Sequence, residues 1–176
     1  MNGLMQKPLV KNWLPSMFLL PVVILLLINS GKFIPILDHI NLLFHEGGHG
    51  VFRLFGGFIY TLGGTLMQIF IPVLFIFYFH TNGKRIGTQI SLVYLGQNLL
   101  NISVYAADAE QQALPLLGGN KVYHDWNRML TDLNLLNHAE AVGNLFYFAA
   151  VLVFILALLF PLINKEYTRT DIQMDL

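Results

Sequence analysis

The sequence predicts an all-α polytopic membrane protein, built as one domain of 176 residues with four to five transmembrane or re-entrant helices. Two observations predict this class. Apolar residues make up 55% of the chain and charged residues only 11%, a balance typical of proteins that live in a bilayer. Several apolar stretches also approach the roughly 20 residues that a hydrocarbon core about 30 Å thick requires. We therefore expect a multi-pass integral membrane protein.

Hydrophobic segments follow one another along the chain. The first one comes after Lys7 and Lys11 and resembles a secretory signal, but no A-x-A-like cleavage site follows it, so we expect a retained anchor. The second is interrupted by polar residues and either crosses the membrane or re-enters, which leaves the count at four or five. We place the five segments at residues 14–29, 34–55, 65–79, 86–107 and 142–163.

Two connecting stretches have their own patterns. Pairs of glycines, Gly56-Gly57 and Gly63-Gly64, flank β-prone residues, which predicts a short β-like loop after the second segment. In residues 108–141, apolar side chains recur near helical spacing. We expect this second stretch to form an amphipathic helix at the membrane interface.

The second segment contains the motif His45-Glu46-Gly47-Gly48-His49. With six His and four Glu in 176 positions, about 0.005 matches to HExxH are expected by chance. A helix puts residues four apart on one face, so both imidazoles can reach a single ion. Because unpaired polar groups are costly in lipid, two histidines and a glutamate at this depth favour a functional site over an accident.

The chemistry that the motif predicts is zinc-dependent hydrolysis with one Zn²⁺ ion. The chain has no cysteine, so any metal must use nitrogen and oxygen ligands. His45 and His49 are the expected ligands, and Glu46 is the expected general base that takes a proton from the attacking water. The two central glycines either permit close approach of another backbone or serve ordinary packing through small residues.

A catalytic zinc site usually has three protein ligands and one open position. We predict Asp108 as the third ligand, because it closes the fourth segment and the second and fourth segments end on the same side. The alternatives are His124 and Asp125, either as ligands or as partners that orient a ligand. The remaining histidines lie near segment ends, where an interfacial imidazole needs no special explanation; they are His39, His80 and His138.

Three amide side chains fall inside predicted spans: Gln68, Asn98 and Asn101. They are candidates for positioning a substrate backbone and polarising the scissile carbonyl. The alternative is that they form hydrogen bonds between helices, a common use of amides in membranes.

The order of these elements resembles the site-two protease family of intramembrane zinc metallopeptidases. HEGGH in a membrane segment, a glycine-flanked β-like stretch, and residues 63–68 (GGTLMQ) opening the next span follow the family's arrangement. The resemblance implies that a later span supplies an asparagine and an aspartate, the aspartate completing the zinc site. Asn98, Asn101 and Asp108 occupy comparable places, although the family's Leu-Asp-Gly string reads Ala107-Asp108-Ala109 here.

The sequence therefore predicts an intramembrane zinc metalloendopeptidase that hydrolyses peptide bonds of membrane-associated substrates. The alternative is a catalytically inactive zinc-binding membrane protein that holds clients or assists assembly. A metal transporter would need more acidic or His residues along a path through the spans. The expected partners are the lipid bilayer and a membrane-protein or peptide substrate, with a homo-oligomer left open. Ten basic residues offset ten acidic ones, so no nucleic-acid partner is expected.

Overall fold

The structure of the protein, a computed structural model, describes residues 7–114 and 123–163, and in those ranges the regular secondary structure is helical, with no strand. This confirms the all-α class. The α-helices in chain order are α1 (Lys7–Ile28), α2 (Leu37–Phe52), α3 (Gly57–Thr81), α4 (Arg85–Ala107), α5 (Asp125–Asp132) and α6 (Ala139–Ile163).

In this part of the chain, two helices are long and apolar enough to cross a membrane by length and composition. They are Gly57–Thr81, which is α3, and Leu136–Ile163, which contains α6. A shorter apolar helical stretch, Asn12–Ile28, forms most of α1. The number of spans, expected to be four or five, stays a prediction.

The central helix is α4, which is buried along most of its length and packs on α3, α6 and α1. Its apolar residues form one core with α6, where Leu100 and Phe154 are buried. A Cβ atom at Gly96 would collide with the ring of Phe154, so this glycine lets the two helices approach closely.

The expected β-like loop between the glycine pairs is helical in the structure. Gly57 begins α3, and residues 58–64 form its first turns. The glycines serve packing instead: a Cβ atom at Gly48 would collide with the carbonyl of Gly63, and one at Gly64 would collide with the ring of His45. A helix satisfies its backbone hydrogen bonds internally, whereas a strand needs a neighbouring strand. The stretch can therefore pack closely on α2 as a helix, despite its β-prone residues.

A chain of polar side chains joins α2 to α4, and we call it the α2–α4 polar network. Tyr94 donates to Asn41 (2.8 Å), and Asn41 donates to Gln97 (2.7 Å). Gln97 and Asn101 both donate to Oδ1 of Asp38, at 2.9 and 2.7 Å. Asn41 lies one helical turn before His45, so this network fixes the position of the helix that carries the motif.

Helix α5, in the region predicted to be amphipathic, packs against α3 and α4. Trp126, Met129 and Leu130 are buried on one of its faces, and they contact Ile102 and Ala139. Residues 115–122 of the region expected to be interfacial lie outside the described residues. The packing of α5 brings Asp125, its first residue, to the bundle.

Candidate metal centre

Helix α2 presents His45 and His49 on one face, as residues four apart in a helix must be. Both histidines are buried, with 7% and 9% of their surface exposed. Their ring centroids lie 4.9 Å apart, with the rings nearly perpendicular. The structure therefore places the two predicted ligands side by side.

The hydrogen bonds of the two rings determine which nitrogen carries the proton. Nδ1 of His49 lies 2.8 Å from the backbone carbonyl oxygen of Tyr60, and Nδ1 of His45 lies 3.0 Å from Oε1 of Gln68. A carbonyl oxygen only accepts, so each Nδ1 donates its hydrogen. In the neutral imidazoles both Nε2 atoms then carry a lone pair, which is the arrangement found in metal-ligating histidines.

The third group at this point is the carboxylate of Asp125. Its Oδ2 lies 2.8 Å from Nε2 of His45 and 3.2 Å from Nε2 of His49. One ligand atom from each of the three residues lies within 4.8 Å of the others. Neighbouring ligand atoms of a tetrahedral zinc ion are separated by about 3.3 Å, so these side chains are of the right type and nearly the right spacing for zinc.

The electrostatics of the group also favour a bound cation. Burial by itself raises the pKa of Asp125, but when the two imidazoles are protonated, the hydrogen bonds from them and their positive charge outweigh burial and hold that pKa below its ordinary value. Asp125 is therefore a carboxylate at neutral pH. Three lone-pair-bearing atoms that converge in a poorly solvated place repel one another unless a proton or a metal ion lies between them.

Glu46 follows His45 directly in α2, and its side chain is exposed. Beside it, a Cβ atom at Gly47 would have no neighbour within 4 Å. The face of α2 that carries the predicted general base is therefore open, whereas the face that carries the histidines is covered.

Asp108, predicted as the third ligand, lies in a different pair. Its two carboxylate oxygens accept from the backbone N–H groups of Ala113 and Leu114, at 2.9 and 3.0 Å. Its Oδ2 also lies 3.4 Å from Nε2 of His124. The structure thus brings Asp125, which was an alternative in the sequence analysis, to the two histidines. Asp108 and His124 instead contact each other.

Among the amide candidates, only Gln68 contacts the histidine pair. Asn101 donates to Asp38 within the α2–α4 polar network. Asn98 is fully buried and donates to the carbonyl oxygen of Tyr94, one turn earlier in α4. The contacts of Asn98 and Asn101 correspond to the packing interpretation, and Gln68 orients His45.

Two residues beside the histidine pair were not predicted from the sequence. Tyr60 contributes its backbone carbonyl, for which no sequence signal exists. Tyr105 accepts from the backbone N–H of Asp125 at 3.0 Å, and its ring centroid lies 6.0 Å from that of His45. A buried tyrosine hydroxyl usually has a polar partner, so a tyrosine three residues before Asp108 was a usable signal.

The three remaining histidines lie apart from the centre. His39, His80 and His138 are all exposed.

Comparison with protein-family models, with curated proteins and with solved structures found no match to this chain.

Proposed function

We propose that this protein is a multi-pass integral membrane zinc metallopeptidase that cleaves peptide bonds of membrane-associated substrates. In this proposal His45, His49 and Asp125 hold one zinc ion, and Glu46 is the general base. The observation that carries the proposal is the convergence of two histidine Nε2 atoms on one carboxylate oxygen, at 2.8 and 3.2 Å. Because both Nδ1 atoms donate to carbonyl oxygens, the Nε2 atoms are available to a metal ion.

A zinc ion at this position would polarise the scissile carbonyl and lower the pKa of a water molecule toward neutrality. Glu46 accepts the proton of the attacking water and passes it to the leaving amine. Its exposed position beside the open surface at Gly47 supports this role, because both water and a substrate backbone must reach it.

The membrane location is supported by the apolar surfaces of the long helices. Phe18 in α1 is 71% exposed and Leu152 in α6 is 66% exposed, and apolar surface of this kind is stable against lipid. The α2–α4 polar network satisfies polar side chains that would otherwise be costly there. Glu46 must then face a water-filled cavity, since an exposed carboxylate in hydrocarbon is strongly disfavoured.

The alternative is a zinc-binding membrane protein that has no peptidase activity and that holds clients or assists assembly. Glu46→Gln separates the two, because the amide cannot accept the proton of the attacking water although the three ligands are untouched. We expect Glu46→Gln to keep its zinc and lose cleavage of labelled peptides in detergent micelles. Retained zinc together with unchanged biological activity in Glu46→Gln would favour the non-enzymatic alternative.

A metal measurement tests the site itself. Purified wild-type protein should contain one zinc per chain, and His45→Ala and Asp125→Ala should lose it. His138→Ala is the matched control, because His138 is exposed and lies apart from the centre. Equal zinc content in wild type, His45→Ala and His138→Ala would overturn the proposed metal centre.

A further inference from the structure

The position of Asp125 depends on the start of α5, a helix of only eight residues. Asp125 is the first residue of this helix, so its carboxylate moves with the helix N-terminus. A helix of this length is not stable alone. The contacts that fix its first turn therefore decide whether Asp125 reaches His45 and His49.

His124 caps that first turn with its side chain. Its Nδ1 accepts from the backbone N–H of Asn127 at 3.2 Å, which satisfies one of the free N–H groups at the start of α5. An accepting Nδ1 carries no hydrogen, so the proton of this ring is on Nε2. The side chain of His124 is 1% exposed, which fixes the ring in one orientation.

Nε2 of His124 faces the Asp108 carboxylate but forms no hydrogen bond. Nε2 of His124 lies 3.4 Å from Oδ2 of that carboxylate, and the carboxylate is itself held by the N–H groups of Ala113 and Leu114. Asp108 closes α4. This contact places the start of α5 against the end of the central helix.

Tyr105 supports the same turn from α4. Its ring centroid lies 4.3 Å from that of His124, with the rings tilted by 35°. Its hydroxyl accepts from the backbone N–H of Asp125 at 3.0 Å. The backbone of residues 124 and 125 is thus held on two sides, by a capping side chain and by a buried tyrosine.

We propose that His124, oriented by Asp108, is a positioning residue of the metal centre: it fixes the first turn of α5 so that the Asp125 carboxylate meets His45 and His49. This inference rests on the proposed function, because it presupposes that the three residues hold a metal ion. In this proposal the His124–Asp108 pair positions a ligand without contacting the metal. Substitution of residues that position ligands typically lowers metal affinity by about 10- to 100-fold.

The test is a cobalt(II) titration of the full-length, metal-free protein in detergent micelles, followed by its visible absorption spectrum. His124→Ala should still bind one cobalt at saturation, but with at least a tenfold larger Kd and an altered spectrum. His124→Asn should stay within about threefold of wild type, because asparagine is a good N-cap whose side-chain oxygen replaces Nδ1. A Kd for His124→Ala equal to that of wild type would overturn the proposal.

Variants of His124 also separate positioning from ligation and from misfolding. If His124 were a ligand, both His124→Ala and His124→Asn would bind no cobalt at saturation, which would also overturn the proposal. If His124→Ala does not fold, His124→Gln takes its place: it keeps a polar side chain but has no acceptor where Nδ1 stands, so we expect it to bind more weakly than His124→Asn. Equal affinity of the Asn and Gln variants would contradict the capping role.

The same titration keeps this inference distinct from the proposed function. His45→Ala removes a proposed ligand and should abolish cobalt binding. If His45→Ala binds as wild type does, the metal centre itself is wrong. If only the His124 variants bind as wild type does, the centre stands and the positioning role fails.

Discussion

Nε2 of His45 lies 2.8 Å from Oδ2 of Asp125, 80 residues further along the chain. The contact joins the motif helix α2 to the short helix α5, and the same oxygen reaches His49 at 3.2 Å. Because both rings donate from Nδ1 to other groups, the three side chains could hold a metal ion here.

Asp125 should matter more for metal binding than Asp108. We expect Asp125→Ala to weaken zinc binding by well over tenfold, since even residues behind the ligands change affinity by about 10- to 100-fold. Asp108→Ala should weaken it less and leave one zinc bound at saturation. Competition with a chromophoric chelator measures both constants. The reverse order would restore Asp108 as the third ligand.

Gln68 should tune the centre through His45. Gln68→Leu removes the acceptor for Nδ1 of His45, so we expect zinc affinity to fall by about 10- to 100-fold while the stoichiometry stays at one. Asn98→Leu is a control from the neighbouring helix, because Asn98 contacts the backbone of its own helix. Similar losses of affinity in both variants would indicate a general packing effect.

The two central glycines of HEGGH should respond oppositely to alanine. A Cβ atom at Gly48 would collide with the carbonyl of Gly63, whereas one at Gly47 would meet nothing within 4 Å. Gly48→Ala should therefore be destabilised by about 1 to 3 kcal/mol. Gly47→Ala should be neutral or stabilised by up to about 1 kcal/mol. Unfolding in mixed micelles with increasing SDS compares them, and equal stabilities would contradict the close approach of α2 and α3.

Asn101 should affect stability and not metal binding. It donates to Asp38 in the α2–α4 polar network, so Asn101→Ala removes one of the hydrogen bonds that this carboxylate receives. We expect a loss of about 1 kcal/mol in SDS unfolding and an unchanged zinc Kd. An intact stability with an increased KM for peptide cleavage would instead support the predicted role in substrate positioning.

The metal-free protein should lose stability in acid through Asp125. Its pKa is lower in the folded protein than the ordinary value, because the histidines outweigh the effect of burial. Such a group contributes stability above its unfolded pKa, about 3.9, and loses it as the pH falls through the folded value. Thermal unfolding from pH 6 down to pH 3 should therefore show a smaller loss for Asp125→Asn than for wild type. Parallel curves would mean that Asp125 is not paired with the histidines.

Properties that follow from short stretches were predictable. The apolar composition predicted helices, and the structure has them: α6 covers the predicted segment 142–163, and α4 covers 86–107. The stretch between the glycine pairs was wrongly predicted as β-like, because its β-prone side chains carry no information about the neighbouring helix. In the structure the stretch is helical, and Gly48 and Gly63 allow it to pack closely on α2.

The proposed metal centre was also predictable only in part. The spacing of His45 and His49 determines that both lie on one face, because a helix turns about 100° per residue whatever surrounds it. The partner of that pair depends on where a helix 80 residues later comes to rest. Burial of Trp126, Met129 and Leu130 against the bundle decides it, together with the cap by His124. The local sequence therefore predicted both histidines and the proposed general base, whereas long-range packing placed Asp125, and not Asp108, beside the histidines.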